Sequence, residues 1–214
     1  MTNSDYVVNR IKQGVSEGHY APGQRLIEAD LVLELGVKRG HVREALRILA
    51  GEGIVEIVPQ RGARVRKLTE KDIAEMMPVL GGLLGVTVDL AIDKVGKQPF
   101  RQRLEKLMRE LRQQAKSGNA LGFHHASGAY HEVLAEAASN PFLDYLNEKI
   151  HGDLFRAQFI GTVKIGNWDR YLAHFQDMHD ALMAGDNETA RRLIMDHQTV
   201  LLHGGYENAL EETA

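Results

Sequence analysis

Apolar residues recur at intervals of three and four along most of this chain, and only one short window alternates instead. Val7, Val8, Ile11 and Val15 mark one face of a helix over 5–17, which Gly18 and the run Ala21, Pro22, Gly23 bring to an end. Gln24 to Leu26 reads as a short extended stretch. A second helix over 28–35 stops at Gly36, and a third over 39–50 stops at Gly51, Glu52, Gly53. The alternating runs 54–58 and 63–68 follow, joined by the turn Pro59, Gln60, Arg61, Gly62. Two helices meeting at a glycine turn, with a β-hairpin appended, predict a winged helix-turn-helix over 1–68.

Beyond residue 68 the period stays helical. Leu104, Leu107, Met108 and Leu111 share a face, as do Leu182, Ala190, Leu193 and Ile194 around the turn at Ala184, Gly185, Asp186. With further breaks at 117–119 and 139–141, residues 69–214 predict six or seven helices in an all-α antiparallel bundle. The expected fold class is therefore mainly α, with one small β-hairpin.

Composition removes several functional classes. The 214 residues include 43% apolar ones, enough for a real core, and no Cys, which excludes disulfides, thiolate nucleophiles and Cys-ligated zinc. The most apolar run, 76–86, is about half the length of a membrane span and contains Pro and Gly, so a cytoplasmic, non-membrane protein is expected.

Charge changes the picture through its placement. The chain carries a formal −3, yet residues 1–67 hold 11 Lys or Arg against 8 Asp or Glu, while the remainder holds 15 against 21. Arg39, Arg43 and Arg47 recur every four residues and so share one face of the third helix, opposite Val42, Ala45, Leu46 and Leu49. Lys38 and His41 stand at its amino-terminal end, the end that approaches base edges when such a helix enters a major groove. A guanidinium fork suits this task because it can bind guanine or phosphate bidentately. Arg61 and Gly62 at the hairpin tip and Arg64 on the second strand extend the basic surface to the wing.

These residues resemble a known family. The runs APGQRLIEADLVLELGV and KRGHVREALRILAGEGIVEIVPQRGARV are similar to the winged helix of the GntR family of bacterial transcriptional regulators. Lys38 stands where Ser is common in that family, and His41 where Pro is common. The rest resembles the helical FCD domain of one GntR subgroup: LTEKDIAEM at 68–76, HEVLAEAASNPFL at 131–143 and ALMAGDNETARRLIMDH at 181–197 carry the likeness. The resemblance implies a homodimeric, cytoplasmic regulator, nucleoid-associated when bound. It implies a repressor in most cases, binding a near-palindromic duplex operator and modulated by a small effector such as an organic acid.

In many FCD domains one Asp and three His hold a divalent metal such as zinc beside the effector. The matching positions here are Ser127, His131, Phe175 and His197, with His174 next to Phe175 and His179 one turn further on. His131, His197 and His174 are the candidate metal ligands of a set that has lost its Asp and one His, and an Arg of the first FCD helix is replaced by Leu80. His124, His125, His151 and His203 read as structural. The competing expectation, a helical metalloenzyme with an accessory DNA-binding domain, fares poorly. HEVLA at 131–135 has Ala135 where HExxH needs its second His, no two His are four apart, and no phosphate loop or nucleophile elbow is present.

Overall fold

A computed structural model describes residues 2–59, 61–149 and 168–196. The chain forms two compact units that divide between Ile73 and Ala74.

The first unit opens with α1 (Asn3–Ser16), whose start is fixed by a reciprocal cap: the Thr2 hydroxyl accepts the Asp5 N–H at 3.1 Å, and the Thr2 N–H donates to the Asp5 carboxylate at 2.8 Å. Val7, Val8, Ile11 and Val15 are buried, as their spacing requires. Helices α2 (Glu28–Leu35) and α3 (Arg39–Gly51) meet at Gly36, whose φ of 65° lies in the left-handed region that closes α2 at little cost only for glycine. Val42, Ala45, Leu46 and Leu49 of α3 are buried together with Leu31 of α2. Each fully buried aliphatic side chain contributes about 1.5–3 kcal/mol, so this face determines the rotation of α3 about its axis.

The wing departs from the expected hairpin. Besides β2 (Val55–Val58) and β3 (Gly62–Val65), residues Arg25–Leu26 form a strand, β1, and the antiparallel sheet has the order β1-β3-β2. A two-residue strand has no period of its own to read, and only pairing across to Ala63 and Arg64 defines it. Along β3 exposure alternates, with Ala63 and Val65 buried and Gly62 and Arg64 outside.

The second unit is helical throughout its described residues. Its elements are α4 (Glu70–Val95, which begins in the first unit), α5 (Phe100–Ser117), α6 (Ala120–Ala138), α7 (Pro141–Lys149), α8 (Trp168–Ala184) and α9 over 187–196. Val88, Ala91 and Val95 of α4, Leu104, Met108 and Leu111 of α5, Tyr130 and Leu134 of α6, and Phe175, Met178 and Leu182 of α8 form one buried cluster with Ala190 and Ile194. Polar ties register the helices. Lys94 donates to the Ala137 carbonyl at 2.7 Å near the α6 terminus, and Asp89 accepts from Asn187 and Arg191, each at 3.0 Å.

The membrane expectation needs one correction. Within α4 the 22-residue stretch Ala74–Val95 is long and apolar enough by length and composition to cross a membrane. The run at 76–86 understates it because Pro78 and the glycines lie inside the helix rather than ending it. Val88, Ala91 and Val95 nevertheless pack inside the bundle and Asp89 is ion-paired, which ties one face of this stretch to the rest of the unit.

Two neighbouring glycines of α4 test this packing. A Cβ on Gly81 would lie 2.8 Å from the Met195 carbonyl oxygen, whereas one on Gly82 would meet nothing within 4 Å. Gly81→Ala should destabilise the unit by about 1–3 kcal/mol through overpacking against backbone. Gly82→Ala should leave stability unchanged or raise it by up to about 1 kcal/mol through helix propensity. Urea denaturation of both variants, followed by circular dichroism, checks the contrast.

Candidate nucleic-acid interface

Because its apolar face is buried, α3 presents its basic face to solvent. The side chains of Arg39, Arg43 and Arg47 are 63%, 58% and 73% exposed, so none is folded into the core. Lys38 is the N-cap residue and is exposed. It provides no side-chain cap, and the first turn of α3 carries no acidic residue. The first turn of α3 therefore has no acidic side chain of its own to compete with an anion at the helix start. Gly40 has open space where a Cβ would be, which leaves room for a backbone to approach. His41 is half-buried, with Nε2 3.4 Å from the Asn3 side-chain amide.

The arginines do not stand alone. Arg43 Nε donates to both Glu28 carboxylate oxygens, at 3.1 and 2.9 Å, and Arg39 Nε lies 3.9 Å from the same carboxylate. Arg47 sits 3.7 Å from Glu44. Exposed pairs of this kind stabilise by only about 0–1 kcal/mol, so a phosphate or guanine can displace or share them at small cost. Glu28 is a neighbour of the basic face that the sequence pattern did not reveal, since it lies on α2, 15 residues from Arg43 and brought close only by the glycine turn.

On the wing, Arg64 occupies the central strand, directly opposite Arg25 on one side and Glu56 on the other. Like charges opposite each other in a sheet repel. The repulsion is relieved because Arg64 turns to Glu56, at 2.6 Å, while Arg25 reaches along the strand to donate to the Arg61 carbonyl, also at 2.6 Å. Arg61 and Gly62 are exposed at the tip, and Gly62 has φ 84°, so the bend there needs a residue without a Cβ. Arg66 belongs elsewhere: it pairs with Asp72 at 3.1 Å near the start of α4. Lys38, Arg39, His41, Arg43 and Arg47 are thus assembled on α3 with Arg61, Gly62 and Arg64 on the wing, and Arg25 is an addition to the basic set.

The second unit places the other candidates on α6 and α8. Ser127 and His131 are one turn apart on α6, and Ser127 is buried. Phe175 of α8 is fully buried; its ring stacks on His131 at 6.2 Å and meets Phe123, Tyr130 and Tyr171 edge-on at 5.6–5.9 Å. His174 turns aside, with Nε2 3.0 Å from the Leu193 carbonyl, and burial holds its pKa below the ordinary histidine value. His197 lies outside the described residues, as do His151 and His203. Among the described residues no three His, Asp or Glu side chains cluster closely enough to hold a metal. A hydroxyl at 127, an aromatic hydrocarbon at 175 and a backbone-bonded imidazole at 174 are poor donors, so this set does not fit the divalent metal of the FCD pattern.

Sequence comparison adds independent findings. The model of the gntR family of bacterial regulatory proteins matches residues 3–65, and that of the FCD domain matches residues 66–199. The chain is 28% identical to the "Probable D-xylose utilization operon transcriptional repressor" of Paenarthrobacter nicotinovorans, covering 97% of this chain and 91% of that one. It is 23% identical to the HTH-type transcriptional regulator YdhC of Bacillus subtilis strain 168, over 88% of this chain and 84% of that one. Its fold matches E. coli McbR/YncC with a TM-score of 0.83 at 19% identity, over 98% and 99% of the two chains. A winged helix with an outward basic face, joined to a helical FCD domain, places the chain in the GntR family of bacterial regulatory proteins, as a DNA-binding transcriptional regulator and not an enzyme.

Proposed function

We propose that this regulator is a homodimeric repressor whose two α3 helices occupy successive major grooves of a near-palindromic operator, and that residues 1–68 are its DNA-binding domain. The observation that carries this reading is the basic face of α3, exposed beside an exposed arginine-bearing wing. Arg39, Arg43 and Lys38 contact bases or phosphates at the amino-terminal end of the helix. Arg47 follows the backbone, and Arg61, Gly62 and Arg64 reach the adjacent minor groove. Two-fold symmetry requires half-sites one helical turn apart, roughly 34 Å between centres. The name of the Paenarthrobacter relative supports repression over activation.

Residues 69–214 are the sensor and dimerisation domain in this reading. A small organic acid bound in the interior near Ser127 and His131 shifts the spacing of the two winged helices, with His197 as a further candidate. The burial of Ser127 and the stacking of His131 on Phe175 support an interior location, because both polar side chains lie against the helix core rather than in bulk water. Linkage then requires an effector that weakens operator binding to bind the DNA complex more weakly itself.

Selection of bound fragments from bacterial genomic DNA, followed by sedimentation of the complex, tests the proposal. It predicts an inverted repeat bound by two chains, whereas a complex of one chain per site, or no sequence enrichment, contradicts it. On that operator Arg43→Ala should weaken binding by about 1–3 kcal/mol and reduce the salt slope of log K by about 1, read by fluorescence anisotropy across a salt series. Glu28→Gln should act in the opposite direction on non-specific DNA. Removing the carboxylate that orients Arg43 and repels phosphate should tighten non-specific binding severalfold and narrow the ratio of operator to random-duplex affinity.

A further inference from the structure

Helix α5 is an anomaly in an acidic half of the chain: it carries six Lys or Arg and two Glu within 18 residues. Arg101, Glu105, Met108, Arg109 and Arg112 share one face of it. Together with Gln176, His179, Asp180 and Met183 of α8 they line a groove of about 360 Å³. That volume accommodates a small metabolite. It lies apart from Ser127 and His131, whose surroundings are lined by α6 and Phe175.

The polar groups in this groove are unevenly satisfied. Arg101 pairs with Glu105 at 2.9 Å; Arg112 donates to the Gln176 amide oxygen, whose own amide donates to Asp180 at 2.7 Å. Arg109 is exposed and has neither an ion pair nor a hydrogen bond among the described residues. His179 forms the floor, with only 6% of its surface accessible. Its Nδ1 is engaged by the Tyr130 hydroxyl at 2.9 Å, which leaves Nε2 as the ring atom available to the groove. Burial and the nearby Arg112 and Arg101 favour the neutral ring, while Asp180 and Glu105 oppose them. His179 Nε2 makes no hydrogen bond to another described residue, and the three guanidinium groups and two carboxylates that share the groove leave a place for an anionic ligand.

We propose that the groove between α5 and α8 binds a small hydroxylated oxyanion, a carboxylate or a phosphate ester, as a ligand site of the helical domain. Arg109 and Arg112 hold the oxyanion, and His179 Nε2 bonds its oxygen or a neighbouring hydroxyl. Asp180 and Glu105 accept from further hydroxyls of the ligand. Tyr130 joins this site to the aromatic core, since its hydroxyl meets His179 and its ring packs on Phe175. The site extends the sensor reading above without depending on the Ser127 and His131 interior.

The test is a titration of the full-length protein, ¹⁵N-labelled at histidine, with sodium phosphate and sodium citrate against sodium chloride at matched ionic strength. The His179 ring resonances are assigned by loss in His179→Gln. The expected result is a saturable shift at His179 with phosphate or citrate and none with chloride. Arg109→Gln, which removes no protein contact, should keep the thermal midpoint and weaken binding roughly tenfold. No saturable shift with either anion, or an undiminished one in Arg109→Gln, overturns the proposal. So does a shift produced only by a short DNA duplex, which would make α5 a phosphate-backbone contact instead. Operator affinity with and without citrate separates the two readings: a saturable His179 response with unaltered operator affinity defeats the effector mechanism while leaving this site standing.

Discussion

The burial of one apolar stripe on α3 decides which face of that helix is left in solvent. Val42, Ala45, Leu46 and Leu49 have nowhere else to go once α1 and α2 are in place, and burying them turns Arg39, Arg43 and Arg47 outward by default. A rotation of α3 by one residue would bury a guanidinium and expose a leucine, at a cost far beyond any gain at the surface. The exposed basic face is therefore produced by hydrophobic packing. The ion pairs to Glu28 and Glu44 only adjust side chains already pointing the right way. Their modest strength is an asset, because a contact too stable within the protein could not be exchanged for a contact to DNA.

Much of this was legible in the sequence. A period near 3.6 with a glycine at Gly36 located the two helices, and the four-residue spacing of the arginines located the face. The wing was legible from its alternation. The third strand was not, because Arg25 and Leu26 acquire their conformation from Ala63 and Arg64, far along the chain. The same limit hid Glu28: no local pattern joins residue 28 to residue 43. The length of the apolar helix was misjudged for a related reason, since Pro78 and several glycines read locally as breaks but lie within α4.

In the helical domain the resemblance named the family and left the chemistry open. Of the positions the resemblance marks, Phe175 supplies packing in place of an imidazole, and His174 beside it bonds to a carbonyl. Polar function there is spread differently, with His179 and Tyr130 linking the aromatic core to a groove on α5 that the net charge of this half concealed. Arg101, Glu105, Met108, Arg109 and Arg112 follow helical spacing, so the signal was present in the chain. Only the position of α8 shows that it lines a groove.

The central claim, that packing alone aims the arginines of α3 at a duplex, is tested most directly by arginine side-chain NMR. Upon addition of the selected operator, the Nε–H resonances of Arg39, Arg43 and Arg47 should move and become protected from exchange, while the methyl groups of Val42, Leu46 and Leu49 keep their free-protein shifts. Unmoved arginine resonances in a saturated complex, or a rearranged set of α3 methyls, would contradict it.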